Sequence, residues 1–421
     1  MLDSLKHHFS LLKNEGSLQK IREKAWDYLN EIGLPQKKQE AFQYVPLREL
    51  YNQHFELPKK TKLPTKKEIE KQILPESLNS HLVFVDGIFV PELSSPPKEL
   101  MIQPFQDAFQ TYSSFLHHRL GACIHEETDP FAILNLSFAN QALFGYLPPK
   151  TELKTPLQCL YILTQKETMV SPRFHLFLGK ESKMRLVSTF CPDQPGMINS
   201  VLDLVLAEGA QAHQTSFLAK ESSTWIFDAV RATLKNDSQL KTLSISRGAK
   251  SHRQSYAVAL AGSNAEAALE GAWLLRAGFS THLHVTIDHQ APHTRSKQLF
   301  KGVIGKTSVS SFEGKIHVRQ AAQKTEAYQL NNNLLLEEHA LAYSKPNLQI
   351  FADDVKASHG STVGEMDLSS LFYLKTRGIP EAEAKKLLVG AFCQEVGTKV
   401  ELPSLRHQFA NELENFLKVQ P

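Results

Sequence analysis

The chain has 421 residues, 42% of them apolar, and its 47 basic and 44 acidic side chains leave a formal charge of +3. This length suffices for a large core in two or three domains, and the near balance of charge excludes an electrostatic footprint for nucleic acid or anionic lipid. Cys123, Cys159, Cys191 and Cys393 lie far apart with no CxxC spacing, which excludes a disulfide framework and a permanent metal-cluster ligand set.

Met1 to Gly16 mixes lysines and histidines into its apolar residues, so it lacks a secretory h-region. No stretch reaches the length of a membrane span, and the expected location is the cytoplasm. Residues 1–150 read as a mainly helical domain. Phe9, Leu12, Leu18, Ile21, Ala25 and Leu29 form a helical face interrupted by Gly16 and ended by Gly33-Leu34-Pro35. The basic run Lys59 to Lys67 reads as a solvated loop. Val83 to Val85 and Ile88 to Val90 flank Asp86-Gly87, a hairpin pattern. A further helix is expected around Gln103 to Leu116.

Residues 151–350 change period. Extended runs recur, among them Leu160 to Leu163, Phe174 to Leu178, Met184 to Val187, Val201 to Leu206, Tyr256 to Leu260 and Leu283 to Ile287. Long crossover helices are missing between them, which argues against a doubly wound fold. A sandwich and a solenoid both remain open, because polar corners such as Ala261 to Asn264 recur without a clean numerical repeat. Ala265 to Arg276 looks helical by its alanine and leucine content, against its place inside a strand series.

Residues 351–421 read as a helical domain. Asp367 caps a first helix ended by Gly378, Pro380 starts a second and Pro403 a third. The segment Phe351 to Gly364 stands where strands give way to these helices, and it gathers His359, Asp353, Asp354, Lys356 and three hydroxyl residues.

Three segments carry a family resemblance. Ala322 to Gln329 followed by Asn331 to Leu336 matches the pattern AQKTxAYQxNxNLLL. Asp353 to Lys356, Ser358 to Gly360 and Thr362 to Gly364 match ADDVKCSHGATxG. Phe372 to Leu374 with Arg377 to Ile379 matches FYLRSRGI. Gly33-Leu34-Pro35, Glu40 and Tyr44 match part of a fourth, GLPxxxxExWKYTPL, with Phe42, Gln43 and Val45 departing from it. On these residues the chain resembles the SufB/SufD family of iron–sulfur cluster assembly scaffold proteins, and the SufD branch within it.

The resemblance implies a mainly β protein, with a right-handed parallel β-helix core flanked by N-terminal and C-terminal helical domains. It implies a non-catalytic scaffold subunit of a SufBCD-type complex that builds nascent clusters, passes them to apo-proteins and supports iron supply. Expected partners are a SufB-like paralogue in a heterodimer, a SufC-like ABC ATPase held by the carboxy-terminal helices, and a second copy when the chain is isolated. No nucleic acid and no membrane are expected. No stably bound cofactor is expected either, only transient iron or a cluster shared with the paralogue.

The resemblance places His359 at the paralogue contact as a metal and cluster ligand, chemistry an imidazole can perform when deprotonated. Ala357 departs from the family's cysteine, so sulfur ligands must come from the partner. The expected partner interface comprises Asp353, Asp354, Lys356, His359, Phe372, Tyr373, Leu374 and Arg377. Thr325, Gln329 and Asn331 to Asn333 are expected to satisfy backbone groups at solenoid corners.

A second cluster is His282, His284 and His289 with Asp288, closed by His293. His282 and His284 share a face on a strand, and packed or solvated histidines are the favoured reading over a metal site. Two other functions remain in view. One is a SufB-like subunit carrying the principal cluster site, which the missing Cys at 357 disfavours. The other is a β-helical metalloenzyme using the histidine cluster or the adjacent acids. ATP hydrolysis is assigned to a partner, since the chain has no G-x-x-x-x-G-K-[ST] loop.

Overall fold

The computed structural model describes residues 2–12, 17–59, 63–111, 116, 124, 126–139, 142–218 and 220–418. Amphipathic helices α1 (Leu2–Leu11) and α2 (Ser17–Ile32) open the chain. Gly33, at φ +74, stops α2 by donating its N–H to the Leu29 carbonyl at 2.8 Å. Short helices α3 (Leu47–Tyr51) and α4 (Lys66–Glu70) follow, the latter held by a Thr65/Glu68 capping box.

The expected hairpin is present as β1 (His81–Val85) and β2 (Ile88–Phe89), with Asp86 and Gly87 both at positive φ. Then come β3 (Met101–Pro104), a helical stretch over 105–111, α5 (Pro130–Phe138) and β4 (Leu143–Leu147). The apolar face of α2 packs on α5, joining Leu18, Ala25 and Leu29 to Phe131, Leu134 and Phe138 in one buried cluster.

The central chain is a run of strands: β5 (Leu157–Leu163), β6 (Met169–Val170), β7 (Arg173–Leu178), β8 (Lys183–Pro192), β9 (Met197–Leu206), β10 (Gln211–Leu218), β11 (Ser222–Leu234) and β12 (Gln239–Ser246). It continues through β13 (Ala249–Leu260), β14 (Glu266–Leu275), β15 (Ser280–His289), β16 (Arg295–Ile304), β17 (Val309–Val318), β18 (Thr325–Leu335), β19 (Leu341–Ile350) and β20 (Val355–Glu365). Successive strands alternate between two sheets, ordered β2-β1-β5-β8-β10-β12-β14-β16-β18-β20 and β19-β17-β15-β13-β11-β9-β7-β4-β3, with β6 beside β9. Pairing along both is parallel except at the β1–β2 and β3–β4 ends. Alternate coils stacked in this way form a parallel β-solenoid rather than a sandwich.

One corner repeats once per coil. Lys150, Glu181, Gly209, Asp237, Asn264, His293 and Lys324 all adopt left-handed φ between 59° and 69°, and each donates its N–H to a carbonyl at the equivalent corner of the next coil. Asn, Asp, His and Gly tolerate that conformation best, so residue type drifts while backbone geometry persists. His293 is therefore a corner residue.

The coil ladder crosses both boundaries drawn from sequence. β1, inside residues 1–150, pairs in parallel with β5 from His81↔Gln158 onward. β20, beyond residue 350, pairs with β18 from Thr325↔Val355 to Leu335↔Glu365. The polar segment 351–364 is thus mostly the last strand of the solenoid, not a joint, and its polarity comes from having no coil above it. The alanine-rich segment 265–276 is strand β14: Ala267, Leu269, Trp273 and Leu275 face the interior at period two.

Helices α6 (Leu368–Thr376), α7 (Glu381–Gly397) and α8 (Pro403–Lys418) complete the fold. Asp367 caps α6 by accepting from the Ser369 and Ser370 N–H groups, both at 3.1 Å, and Gly378 at φ +81 follows it. Val389, Cys393, Val396, Leu405, Phe409 and Phe416 bury the stripes of α7 and α8 against Phe217, Leu243, Ile245, Leu274 and Leu299 on the outer solenoid face. Lys301 pins this seam, donating to the Phe392 carbonyl at 3.0 Å and pairing with Glu395 at 2.8 Å. No helix among the described residues is long and apolar enough to cross a membrane.

Candidate functional site

The two ends of the solenoid differ. One is closed by the short antiparallel strands β2 and β3, whereas at the other β19 and β20 end their sheets with an edge each that is unpaired among the described residues. These edge strands are long, with Leu341, Ile350 and Val363 exposed along them and Phe351 exposed just past the end of β19. Such an edge is a template for strand addition.

His359 lies on β20 and is exposed. Its register partner is Gln329 on β18, which in turn pairs with Gln298 on β16. Burial in β18 alternates strictly through Thr325, Ala327, Gln329, Asn331 and Asn333, so these side chains point inward and their partners Val355, Ala357, His359, Ser361 and Val363 occupy the inward face of the last coil. Ala357 sits over Ala327 and helps fill a small apolar cluster with Ile316 and Val318. Gln329 and the asparagines are mid-strand, not at corners as expected. Gln329 donates to Gln298 at 2.9 Å, Asn333 to Asn331 at 2.8 Å, and Asn331 to the Phe300 carbonyl at 3.3 Å. Only Thr325 keeps the corner role, donating to the Ala322 carbonyl at 2.9 Å.

The other motif residues are arranged around this coil. Asp353 and Asp354 are exposed at the last corner, where the Asp354 N–H donates to Gln323 at 3.0 Å and its carbonyl accepts from the Lys324 N–H at 2.6 Å. Lys356 points outward at the top of a charge ladder, 3.4 Å from Glu326, with Arg295 bridging Glu326 and Glu266 beneath. Surface pairs of this kind contribute about 0–1 kcal/mol each. Phe372 and Tyr373 are exposed on α6, Leu374 is half-buried, and the Arg377 guanidinium stands 5.2 Å from the Tyr373 ring centroid.

Comparison with known proteins bears on this arrangement. Residues 161–392 match the family model described as SUF system FeS cluster assembly, SufBD core domain, and residues 6–159 match the SufBD protein N-terminal region. The chain belongs to the SufBD family. It is 30% identical to an iron–sulfur cluster assembly SufBD family protein of Synechocystis, covering 96% of this chain and 92% of that one. It is 27% identical to the iron–sulfur cluster assembly protein SufD of Escherichia coli, over 96% and 93% of the two chains. Protein ABCI7 of Arabidopsis thaliana is similar at 27% identity over 95% and 86%.

The second histidine cluster is divided by this SufBD fold. His282 and His284 face outward beneath Glu40 and Tyr44, while His289 faces the interior and is held by Thr294 at 2.7 Å and Ser296 at 2.9 Å. Burial, with Arg253 nearby, pushes the His282 and His284 pKa values down to about 3, and burial pushes His289 to about 4. Among the described residues no three His, Cys, Asp or Glu side chains gather as a metal-binding group.

The thiols are no better placed for chemistry. Cys159 and Cys393 are buried and Cys191 is half-buried. Burial raises the pKa of all three, Cys191 and Cys393 to about 12, so the thiolate is disfavoured. Cys123 lies outside the described residues.

A buried charge cluster under the amino-terminal region has no local sequence motif. Asp129, the N-cap of α5, pairs with Arg253, and Arg231 pairs with Glu127 at 2.6 Å. The Arg253 guanidinium also lies 4.1 Å from the Phe42 ring centroid. Burial alone raises the Asp129 pKa, but Arg253 and Arg231 override it and bring it down to about 2. The Asp129-Pro130 N-cap pattern was the one signal available.

Proposed function

We propose that this chain is a SufD-type, non-catalytic scaffold subunit of a SufBCD-like complex in the cytoplasm, assembling iron–sulfur clusters for transfer to apo-proteins. The observation that carries this reading is the open last coil, which sets His359 on the inward face of an unpaired strand edge. A SufB-like paralogue adding its own terminal coil to β19 and β20 would enclose His359 at the joint. The cluster is cargo: His359 offers one nitrogen ligand and the partner the sulfur ligands, because Ala357 supplies none. Asp353, Asp354 and Lys356 rim that contact. The exposed residues of α6, Phe372 and Tyr373 with Leu374 and Arg377, form the surface for a SufC-like ATPase, whose closure would move the helices as a body. Helical regions over 1–150 and 351–421 flank the 151–350 core, and the solenoid extends into both through β1 and β20.

The test is anaerobic reconstitution of the co-expressed three-subunit complex with His359→Ala. Cluster yield should fall while complex composition and melting temperature hold, and full yield would remove His359 from the reading. The burial that raises the pKa of Cys159, Cys191 and Cys393 weighs against the SufB-like alternative at those three thiols, and the split histidines weigh against the metalloenzyme.

A further inference from the structure

The inward face of the solenoid carries an amide column that stops one coil short of His359. Leu269, Gln298, Gln329 and His359 are consecutive register partners on β14, β16, β18 and β20. Gln298 and Gln329 are almost completely buried. The Gln329 Nε2 donates toward the coil below, to Gln298 Oε1 at 2.9 Å. Its Oε1, at the other end of the same planar amide, is buried and, like the Gln298 Nε2, has no hydrogen-bond partner among the described residues. A buried acceptor left unmade costs about 1–3 kcal/mol, and the next residue in the column is an imidazole, a donor group.

The opposite sheet makes room for this amide. A Cβ built on Gly314 would stand 1.9 Å from Gln329 Nε2 and 2.6 Å from the Phe312 ring. A side chain at 314 is thus incompatible with Gln329 where it lies, and the glycine on β17 serves the glutamine rather than a turn.

We propose that Gln329 is a positioning residue for His359: its Oε1 accepts one imidazole N–H, which fixes the ring orientation and tautomer. The other ring nitrogen then carries its lone pair toward the open end, where the cluster is built. Acceptors behind a metal-binding histidine act in this way, setting which nitrogen is free and raising its basicity. The inference rests on the reading of His359 as a cluster ligand, but the contact itself can be observed without a cluster.

The experiment uses the full chain labelled with 15N-histidine, alone and in the reconstituted complex. The His359 ring signals are identified by their loss in His359→Ala. In the parent protein above the titration range, the two ring nitrogens should show one dominant tautomer. Gln329→Leu should shift the ratio toward that of free imidazole, and Gln329→Glu, which keeps an acceptor, should restore it. Gly314→Ala, which displaces the amide without removing it, should resemble Gln329→Leu and provides the same readout if the leucine variant does not fold. Cluster yield at limiting iron should fall about tenfold or more in Gln329→Leu and recover in Gln329→Glu. An unchanged tautomer ratio in both Gln329→Leu and Gly314→Ala overturns the inference. A changed ratio with full cluster yield in His359→Ala instead overturns the cluster reading and leaves the contact standing.

Discussion

Gln329 and His359 occupy the same inward column one coil apart, yet Gln329 is buried and His359 is exposed. Nothing within their own strands explains the difference, since both sit mid-strand on the same face. It arises because β20 has no coil above it. An inward side chain on the last coil is interior surface that no further coil of the described residues covers.

From this, His359→Ala should change stability little. The side chain is exposed, and removal of such a group usually shifts unfolding free energy by no more than about 0.5 kcal/mol. Chemical denaturation of the isolated chain should therefore overlay on the parent, and any loss should appear only in assembly by the complex.

Lysines at the open edge should separate association from folding. Leu341 and Val363 are exposed on β19 and β20, and edge lysines oppose strand addition. Leu341→Lys with Val363→Lys should leave the melting temperature of the isolated chain within a few degrees while weakening its binding to the paralogue at least tenfold, measured by calorimetry. Undiminished binding would place the contact elsewhere.

Asp129→Asn should be strongly destabilising. It leaves the buried Arg253 without its carboxylate partner and removes one of the two acids facing Arg231, and breaking a buried pair from one side costs about 3–5 kcal/mol. The sign of the pH effect follows from the depressed pKa. Asp129 contributes its full stability above the unfolded-state value of about 3.9, and loses it as pH falls toward about 2. The variant should show a smaller acid loss across that window.

Buried histidines should begin acid destabilisation earlier. His252, His282 and His284 have pKa values pushed down to about 3, and His289 to about 4, by burial first. Between an unfolded value of about 6.5 and those folded values the unfolded chain binds more protons, so stability is complete above that range and falls as pH drops through it. Denaturation midpoints from pH 7 to 4 should decline, and His252→Asn with His282→Asn should flatten the slope.

Particular residues show what could be read from sequence. Asp86-Gly87, Asp367 and Gly378 act through local backbone chemistry, and each does in the structure what its residue type implies. The interior strands were visible through alternation, but coil stacking was not, because left-handed corners are filled by Lys, Glu, Asp, Asn, His and Gly in turn. Ala267 and Leu269 look helical by propensity and are strand by tertiary pairing. Gln329, Asn331 and Asn333 alternate at period two in the sequence itself, a signal that they share the inward face. Their polarity suggested solenoid corners, and it is accommodated mid-strand because Gln329 bonds to Gln298, Asn333 to Asn331 and Asn331 to the Phe300 carbonyl. The Asp129–Arg253 pair joins residues too distant in sequence for any local pattern to reveal.

The most direct test of the account is pulsed electron paramagnetic resonance on the reconstituted, reduced complex, with this chain alone labelled with 15N-histidine. A 15N coupling to the nascent cluster is expected, and it should disappear in His359→Ala. A cluster formed in full yield on the complex with no 15N coupling from this chain would contradict it.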